Sequence, residues 1–371
     1  MRVLVMGGSA FNGRSLVPVL VREGHDVTVC NRGRTPIDHP DGVKTIAADR
    51  TDHAALRTAL ASAPGGTEWD CVIDMTAYHP EDVEVMVDIL DGSTGHYIFV
   101  SSTVIYAAVT AANPGPITEQ HPVEREGAQF EYGLHKILCE DLLLAAHADR
   151  GFPATIVALG MSFGPHNAIV NREQRMFARM LTGRPILMPG DGSSQTVVGY
   201  VEDQSEAFAA LMGVEASFGR RFNLTGDDPH TDERYIQTFA QVTGANPDVI
   251  SVPAELMDKL WDNEITLTPP KGTRSSMDIR PTDEAFAKVA PHLHKLPVSS
   301  LTQRLQPSIH RWDSDSRFSV DALKEVTGWS PKHNFDQAVV DAYKWWRGTD
   351  LLATVEQDWT FEDEILALVR G

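Results

Sequence analysis

Short apolar segments rich in valine and isoleucine alternate with helix-length segments through the first half of this 371-residue chain. Strands that alternate with helices are typical of βαβ units and of a parallel sheet with helices on both faces. The sequence therefore predicts an α/β fold built on a doubly wound parallel sheet. The apolar segments are residues 2–6, 26–30, 43–47, 70–75, 97–101 and 154–159, and the helical segments between the first five are residues 11–23, 52–62 and 80–90.

A glycine-rich segment separates the first predicted strand from the first predicted helix. Its pattern is Gly-x-x-Ala-x-x-Gly, with Ala10 where the strongest form of the motif has glycine. Glycine allows a tight turn and a close approach of a pyrophosphate, and the helix N-terminus adds unpaired N–H groups. A dinucleotide site is the favoured interpretation, and a plain strand–turn–helix corner is the alternative. The predicted cofactor contacts here are Gly7, Ser9, Ala10, Phe11, Asn12 and Gly13.

The end of the second predicted strand bears on the choice between NAD and NADP. An NAD site usually has an acid here for the ribose 2′-hydroxyl, but this chain has Asn31. The guanidinium groups of Arg32 and Arg34 suit a 2′-phosphate instead. NADP is therefore slightly preferred over NAD, and Asp49, after the third predicted strand, is a candidate adenine contact.

Tyr132 and Lys136 lie four residues apart on a helix predicted over residues 130–148. Side chains at this spacing share one face of a helix. A nearby ammonium is expected to lower the pKa of the phenol from its usual value of about 10, so that it can transfer a proton. A surface helix with an extended lysine is the alternative interpretation of the isolated pattern.

In their order, these motifs resemble the extended short-chain dehydrogenase/reductase superfamily, in particular atypical members of its epimerase/dehydratase branch. Residues 100–106 are similar to the family's strand with a catalytic serine or threonine, and the resemblance selects Ser102. Residues 163–165, 189–192, 200–203 and 328–331 extend the resemblance over nearly the whole chain. It implies a Rossmann-type NAD(P)-binding domain over residues 1–165. A substrate-binding region over residues 166–371 would be partly interleaved with the sheet.

The resemblance also implies roles for individual residues. Tyr132 would be the general acid or base, and Lys136 would lower its pKa and hold the nicotinamide ribose. Ser102 would hydrogen-bond the reacting oxygen, as an oxyanion donor does. The implied substrate contacts are Thr103, His166, Asn167 and Arg311.

Two departures from the family pattern limit the expected chemistry. Thr103 and Val104 follow Ser102 where the dehydratases have Asp-Glu, so elimination of water is not expected. Thr196 stands where an arginine usually grips a substrate diphosphate. The implied activity is that of an epimerase or a ketoreductase acting on a sugar, a nucleotide-sugar or a sugar-like polyol. A non-catalytic regulator or an RNA-binding relative is the alternative.

Composition and charge restrict the partners. The chain has 32 basic and 51 acidic residues and a net charge of −19, which disfavours phosphate contacts with nucleic acid. No apolar segment reaches the ~18–20 residues that span a bilayer. Cys30, Cys71 and Cys139 lack metal-ligand spacing and are expected to be buried thiols in a reducing compartment. A cytoplasmic protein without a metal site is expected, and a homodimer is left open.

Overall fold

The computed structural model describes residues 1–106, 115–125, 129, 131–167, 172–262, 264–265, 267–268, 312–350, 352 and 358–371. The first elements, in chain order, are β1 (Arg2–Met6), α1 (Phe11–Arg22), β2 (Asp26–Asn31), β3 (Lys44–Ala47), α2 (His53–Ala61), β4 (Cys71–Asp74), α3 (Pro80–Leu90), β5 (Tyr97–Ser102), a 3-10 turn (Thr103–Ile105), α4 (Glu131–Arg150), β6 (Ala154–Leu159) and β7 (Ser162–Phe163). The later elements are α5 (Glu173–Leu181), β8 (Ile186–Pro189), β9 (Gln195–Thr196), β10 (Gly199–Tyr200), α6 (Val201–Leu211), a 3-10 turn (Glu215–Ser217), β11 (Arg220–Leu224), β12 (His230–Thr231), α7 (Asp232–Thr243), β13 (Val249–Val252), α8 (Ala254–Trp261), α9 (Asp321–Thr327), α10 (Phe335–Arg347) and α11 (Thr360–Arg370).

Within these residues, seven strands form a parallel sheet in the order β11-β6-β5-β4-β1-β2-β3. The strand order reverses between β1 and β4, which lie side by side. In sheets of this kind, ligands bind outside the carboxyl ends of the strands at such a reversal point. The topology therefore predicts where a ligand site should lie, and it confirms the doubly wound α/β fold.

Helices cover both faces of the sheet because successive strand residues point to opposite sides. Val3 and Val5 pack with residues of α1 and α6 on one side. Leu4 and Met6 pack with residues of α2, α3 and α4 on the other side. Each fully buried valine or leucine side chain stabilises the fold by about 1.5–3 kcal/mol. This double covering explains why the central strands β1, β4, β5 and β6 are mostly apolar rather than alternately polar.

The predicted strands and helices of the first half are confirmed with boundaries that differ by at most two residues. α4 begins at Glu131 and ends at Arg150, and it carries Tyr132 and Lys136 as predicted. Pro18 lies inside α1, which continues to Arg22. The three cysteines are free and buried, as expected.

Residues beyond 165 also contribute to the sheet. β11 pairs in parallel with β6 and forms the edge of the seven-stranded sheet. A separate aromatic core joins α5, α7 and α10, and it includes Phe177, Phe239 and Trp346. In the part of the chain that the structure describes, no helix combines the length and the apolar character that crossing a membrane requires.

Candidate active site

The turn after β1 requires glycine at two positions. Gly7 has a φ of 101°, and a Cβ there would lie 2.3 Å from Thr76 Cγ2. A Cβ on Gly13 would lie 2.6 Å from the carbonyl oxygen of Gly7. Real side chains do not tolerate such distances, so the two glycines bring the turn close against the first turn of α1.

The N-terminus of α1 fits the pyrophosphate of a dinucleotide. Ala10 is the N-cap residue and provides no side-chain hydrogen bond to the first turn. The first N–H groups of a helix need an outside acceptor, and the helix dipole favours an anion there. Phe11, the first helical residue, has a positive φ of 29°. The site lies at the carboxyl end of β1, at the reversal point of the sheet.

Two asparagines attach this turn to its surroundings. Asn31 Nδ2 donates to Ser9 Oγ at 2.6 Å, and Asn31 Oδ1 accepts from the Gly33 N–H at 2.7 Å. Asn12 Nδ2 donates to Ser162 Oγ at 3.0 Å. The end of β2 and strand β7 are therefore both held against the turn, which brings the predicted cofactor residues together.

Arg32 and Arg34 are exposed beside this turn. Arg34 Nη2 lies 3.7 Å from Asp49 Oδ2, and the two side chains are 60% and 37% exposed. Hydrogen bonds from Thr51 lower the pKa of Asp49, and the charges of both arginines add to that effect. Because an exposed ion pair contributes only about 0–1 kcal/mol, Arg34 can exchange Asp49 for a bound phosphate at little cost.

Ser102 ends β5 next to the 3-10 turn, and its Oγ accepts from the Val104 N–H at 3.5 Å. The Ser102 hydroxyl also acts on Tyr132, where it lowers the pKa of the phenol. Thr103, an implied substrate contact, is buried. The structure therefore brings together the serine and the tyrosine that the sequence places thirty residues apart.

Lys136 lies beneath Tyr132 and is buried. Its Nζ donates to the carbonyl oxygens of Ala77, at 2.7 Å, and Val100, at 2.8 Å, and lies 5.7 Å from the centroid of the Tyr132 ring. Burial lowers its pKa to about 8. An ammonium has three N–H donors, so one donor remains beyond these two bonds for a ribose hydroxyl.

The structure corrects the predicted direction of the Tyr132 pKa shift. Burial raises this pKa, and the neighbouring Tyr78, whose ring centroid lies 6.1 Å away, raises it further. The Ser102 hydroxyl and the charge of Arg172 oppose the increase. The prediction was wrong because it considered the charge of Lys136 and not the desolvation of the phenol.

Arg172 is a residue of this site that the sequence analysis missed. It is the N-cap residue of α5, and its Nη1 donates to the carbonyl oxygen of Ser162 at 3.1 Å. Its charge interacts with Tyr132, and burial lowers its pKa to about 10. A single arginine at the start of a helix gives no sequence signal of this position.

The other implied substrate residues differ in their surroundings. The ring of His166 packs against Trp345 with 4.9 Å between centroids. Asn167 is buried and donates to both carboxylate oxygens of Glu173, at 3.0 and 2.8 Å, so it holds the turn before α5. Arg311 lies outside the described residues.

Thr196 is buried in β9, and its hydroxyl donates to the carbonyl oxygen of Ser316 at 3.5 Å. Among the described residues, histidines, cysteines and acids form no group suited to a metal ion.

Comparisons with known proteins give the family and the fold to which this chain is similar. The model of the NAD dependent epimerase/dehydratase family matches residues 3–225. The chain is 28% identical to 2′-dehydrokanamycin reductase of Streptomyces kanamyceticus over 259 residues, which cover 69% of this chain and 70% of that protein. It is 25% identical to the chloroplast stem-loop binding protein of 41 kDa b of Arabidopsis thaliana over 384 residues, which cover 99% of this chain and 84% of that protein. The structure of dTDP-glucose 4,6-dehydratase from Bacillus anthracis, in complex with NAD, superposes with a TM-score of 0.67 at 14% identity, covering 96% of this chain and 100% of that one.

Proposed function

Since this chain belongs to the NAD-dependent epimerase/dehydratase family and is an enzyme of the extended short-chain dehydrogenase type, we propose that it reduces a ketone on a sugar or sugar-like polyol. Ser102, Tyr132 and Lys136 are its catalytic residues in this proposal. The observation that carries it is the position of Lys136, whose Nζ lies 5.7 Å from the centroid of the Tyr132 ring and donates to the carbonyl oxygen of Val100, two residues before Ser102 on β5. This buried lysine lies at the same edge of the sheet as the uncapped N-terminus of α1.

The roles of the three side chains follow from their chemistry. The hydroxyl groups of Ser102 and Tyr132 are close enough to act on one substrate oxygen: Ser102 orients it and Tyr132 gives it a proton. The bound nicotinamide supplies the hydride. A phenol whose pKa is raised stays protonated at neutral pH, and it is therefore ready to act as an acid in the direction of reduction. Lys136, fixed by two carbonyl groups, keeps a positive charge near the phenolate that results.

Net reduction with NADPH is favoured over epimerisation by two observations. Arg32 and Arg34 are exposed at the end of β2, where the 2′-phosphate of NADPH would bind. In addition, a relative at 28% identity is named 2′-dehydrokanamycin reductase. Thr196 offers no positive charge to a substrate diphosphate, which favours a substrate without a nucleotide. The alternative function is that of an epimerase that keeps NAD tightly bound.

One experiment separates these two activities. The protein is purified, denatured, and its released nucleotide identified by mass. It is then assayed for NADPH and NADH consumption with a ketone panel that includes 2′-dehydrokanamycin. We expect little retained nucleotide and consumption of NADPH that depends on the ketone. Stoichiometric retained NAD, with isomerised substrate and no net consumption, would establish the epimerase instead.

A catalytic control uses two tyrosines. Tyr132→Phe is expected to abolish turnover, and Tyr343→Phe, in the aromatic core of α10, is expected to preserve it. Unchanged turnover in Tyr132→Phe would refute the assignment of the acid.

Nucleic-acid binding is a second candidate, because the relative that matches 99% of this chain is named a stem-loop binding protein. The net charge of −19 opposes it. Binding of a stem-loop RNA by the Tyr132→Phe variant, with an affinity that falls steeply with salt, would support this candidate. A homodimer and a cytoplasmic location stay predictions.

A further inference from the structure

The buried carboxylate of Glu140 connects the helix of Tyr132 and Lys136 to the strand end of Ser102. Glu140 lies on α4, one turn beyond Lys136, and it is fully buried. Its Oε1 accepts a hydrogen bond from Ser101 Oγ. Ser101 directly precedes Ser102 on β5. This contact therefore fixes α4 relative to the end of β5.

Arg221 holds the other oxygen of the same carboxylate. Its Nε donates to Glu140 Oε2 at 2.7 Å, and its Nη2 donates to that oxygen as well. Arg221 lies on β11, which is separated from β5 by β6. Its guanidinium carbon also lies 5.9 Å from the centroid of the Tyr106 ring. The ion pair between Glu140 and Arg221 therefore links α4 to β11, the edge strand of the sheet.

Tyr106 provides a second attachment of the segment that contains Ser102. The Tyr106 hydroxyl donates to Asn223 Oδ1 at 2.5 Å. Asn223 lies two residues after Arg221, so both side chains point to the same face of β11. Ser102 thus lies between Ser101 and Tyr106, and both of these flanking residues are linked to the same strand.

The cost of burying Glu140 indicates that this network is specific. Burial raises the pKa of Glu140, while the charge of Arg221 and the hydrogen bonds from Ser101 and Arg221 oppose that increase. A buried ion pair contributes little net stability compared with apolar residues of the same shape, and it is often associated with a unique geometry. The proposed chemistry uses neither charge, so their role must lie in the geometry of their neighbours.

We propose that Glu140 and Arg221 are positioning residues that hold Ser102 in place beside Tyr132. This role rests on the proposed function. A displacement of about 1 Å of a catalytic group can cost about a hundredfold in rate, so small shifts of β5 against α4 are sufficient to matter. The pair acts through Ser101 and Tyr106 and makes no contact with the reacting atoms itself.

The test compares Ser101→Ala and Glu140→Gln with wild type, using the ketone of the panel that is reduced fastest. We expect kcat to fall by about tenfold while the KM for NADPH changes by less than about twofold. We also expect the pH profile of kcat to shift, because a displaced Ser102 no longer lowers the pKa of Tyr132 to the same extent. Ser101→Ala removes a single hydroxyl and is the variant that should fold even if Glu140→Gln does not.

Thr155→Val is the matched control. Thr155 is fully buried on β6, and its hydroxyl donates to the carbonyl oxygen of Ser217 at 3.0 Å. It pairs with Ile98 near the amino ends of β6 and β5, whereas Ser102 pairs with Leu159 at their carboxyl ends. Thr155→Val should lower the Tm and leave kcat and the pH profile unchanged. If Ser101→Ala and Glu140→Gln behave like this control while Tyr132→Phe is inactive, the positioning role is wrong and the proposed function stands. If Tyr132→Phe remains active, the proposed function fails and the positioning role fails with it.

Discussion

Asn12 Nδ2 donates a hydrogen bond of 3.0 Å to Ser162 Oγ, which joins the cofactor turn to the residue whose carbonyl oxygen accepts from Arg172. Arg172 in turn acts on Tyr132 through its charge. Two hydrogen bonds and one electrostatic interaction therefore connect the predicted pyrophosphate site to the predicted proton donor. A ligand at one end of this path can influence the geometry at the other.

The first prediction concerns the charge of Arg172. Arg172→Met removes a cation that opposes the raised pKa of Tyr132, so the phenolate formed during reduction is less stabilised. We expect kcat for reduction to fall roughly tenfold and the pH profile to move to higher pH. Arg172→Lys keeps the charge and should restore most of the rate. The measurement is the pH dependence of kcat for the three proteins, and equal profiles for Met and Lys would contradict the role of charge.

The second prediction concerns the pKa of Lys136, which burial lowers to about 8. A lysine is charged only below its pKa, so a step that needs the ammonium loses rate as the pH rises through about 8. We expect kcat/KM to decline there in wild type, and to be low and nearly independent of pH in this range in Lys136→Met. Lys259→Met, at an exposed lysine of α8, is the control and should keep the wild-type decline. A wild-type profile that stays flat through pH 8 would show that this ammonium is not required.

The third prediction concerns Glu173, whose pKa burial raises from 4.5 to about 7 despite hydrogen bonds from Asn167 and Gly164. Between these two values the folded chain binds more protons at Glu173 than the unfolded chain does. The free energy of unfolding of wild type should therefore fall as the pH rises through this range, by on the order of 3 kcal/mol. Glu173→Gln should lose this fall.

Urea denaturation at about pH 5 and about pH 7.5 measures this difference. Glu233→Gln, at an exposed glutamate of α7, should retain the wild-type pH dependence. If Glu173→Gln and wild type lose equal stability between the two pH values, Glu173 is not the group responsible.

The fourth prediction concerns the preference for NADP. Removing both guanidinium groups in Arg32→Ala/Arg34→Ala should weaken NADPH binding by about tenfold or more, because charge-assisted bonds to the 2′-phosphate are lost. NADH binding should change by less than about twofold, since NADH has a hydroxyl there. Fluorescence titration of both nucleotides measures the ratio. Arg57→Ala, which removes an exposed arginine paired with Asp88, is the control. Equal losses of affinity for NADPH and NADH would indicate that the arginines do not bind the 2′-phosphate.

The sequence was sufficient for the elements that follow a regular pattern. β1, β2, β4, β5 and β6 are largely buried on both faces, so their apolar segments predict them directly, and the spacing of Tyr132 and Lys136 places both on α4. β11 was not predicted because Arg220 and Arg221 interrupt its apolar pattern, and it becomes a strand because it completes the hydrogen bonding of β6. The link between Glu140 and Arg221 spans 81 residues. No local pattern signals a contact over that distance, and the same holds for Arg172 beside Tyr132.

The position of β11 at the edge of the main sheet determines how the chain can be divided and how it folds. A fragment of residues 1–165 would expose the unpaired edge of β6, which invites pairing with other chains and aggregation. It would also leave Glu140 buried without Arg221, a costly uncompensated charge. During synthesis the sheet cannot be completed before residue 224 leaves the ribosome, which makes its last pairing a long-range and slow one. Residues 1–165 alone are therefore not expected to fold autonomously, and fusions or truncations should keep β11 attached.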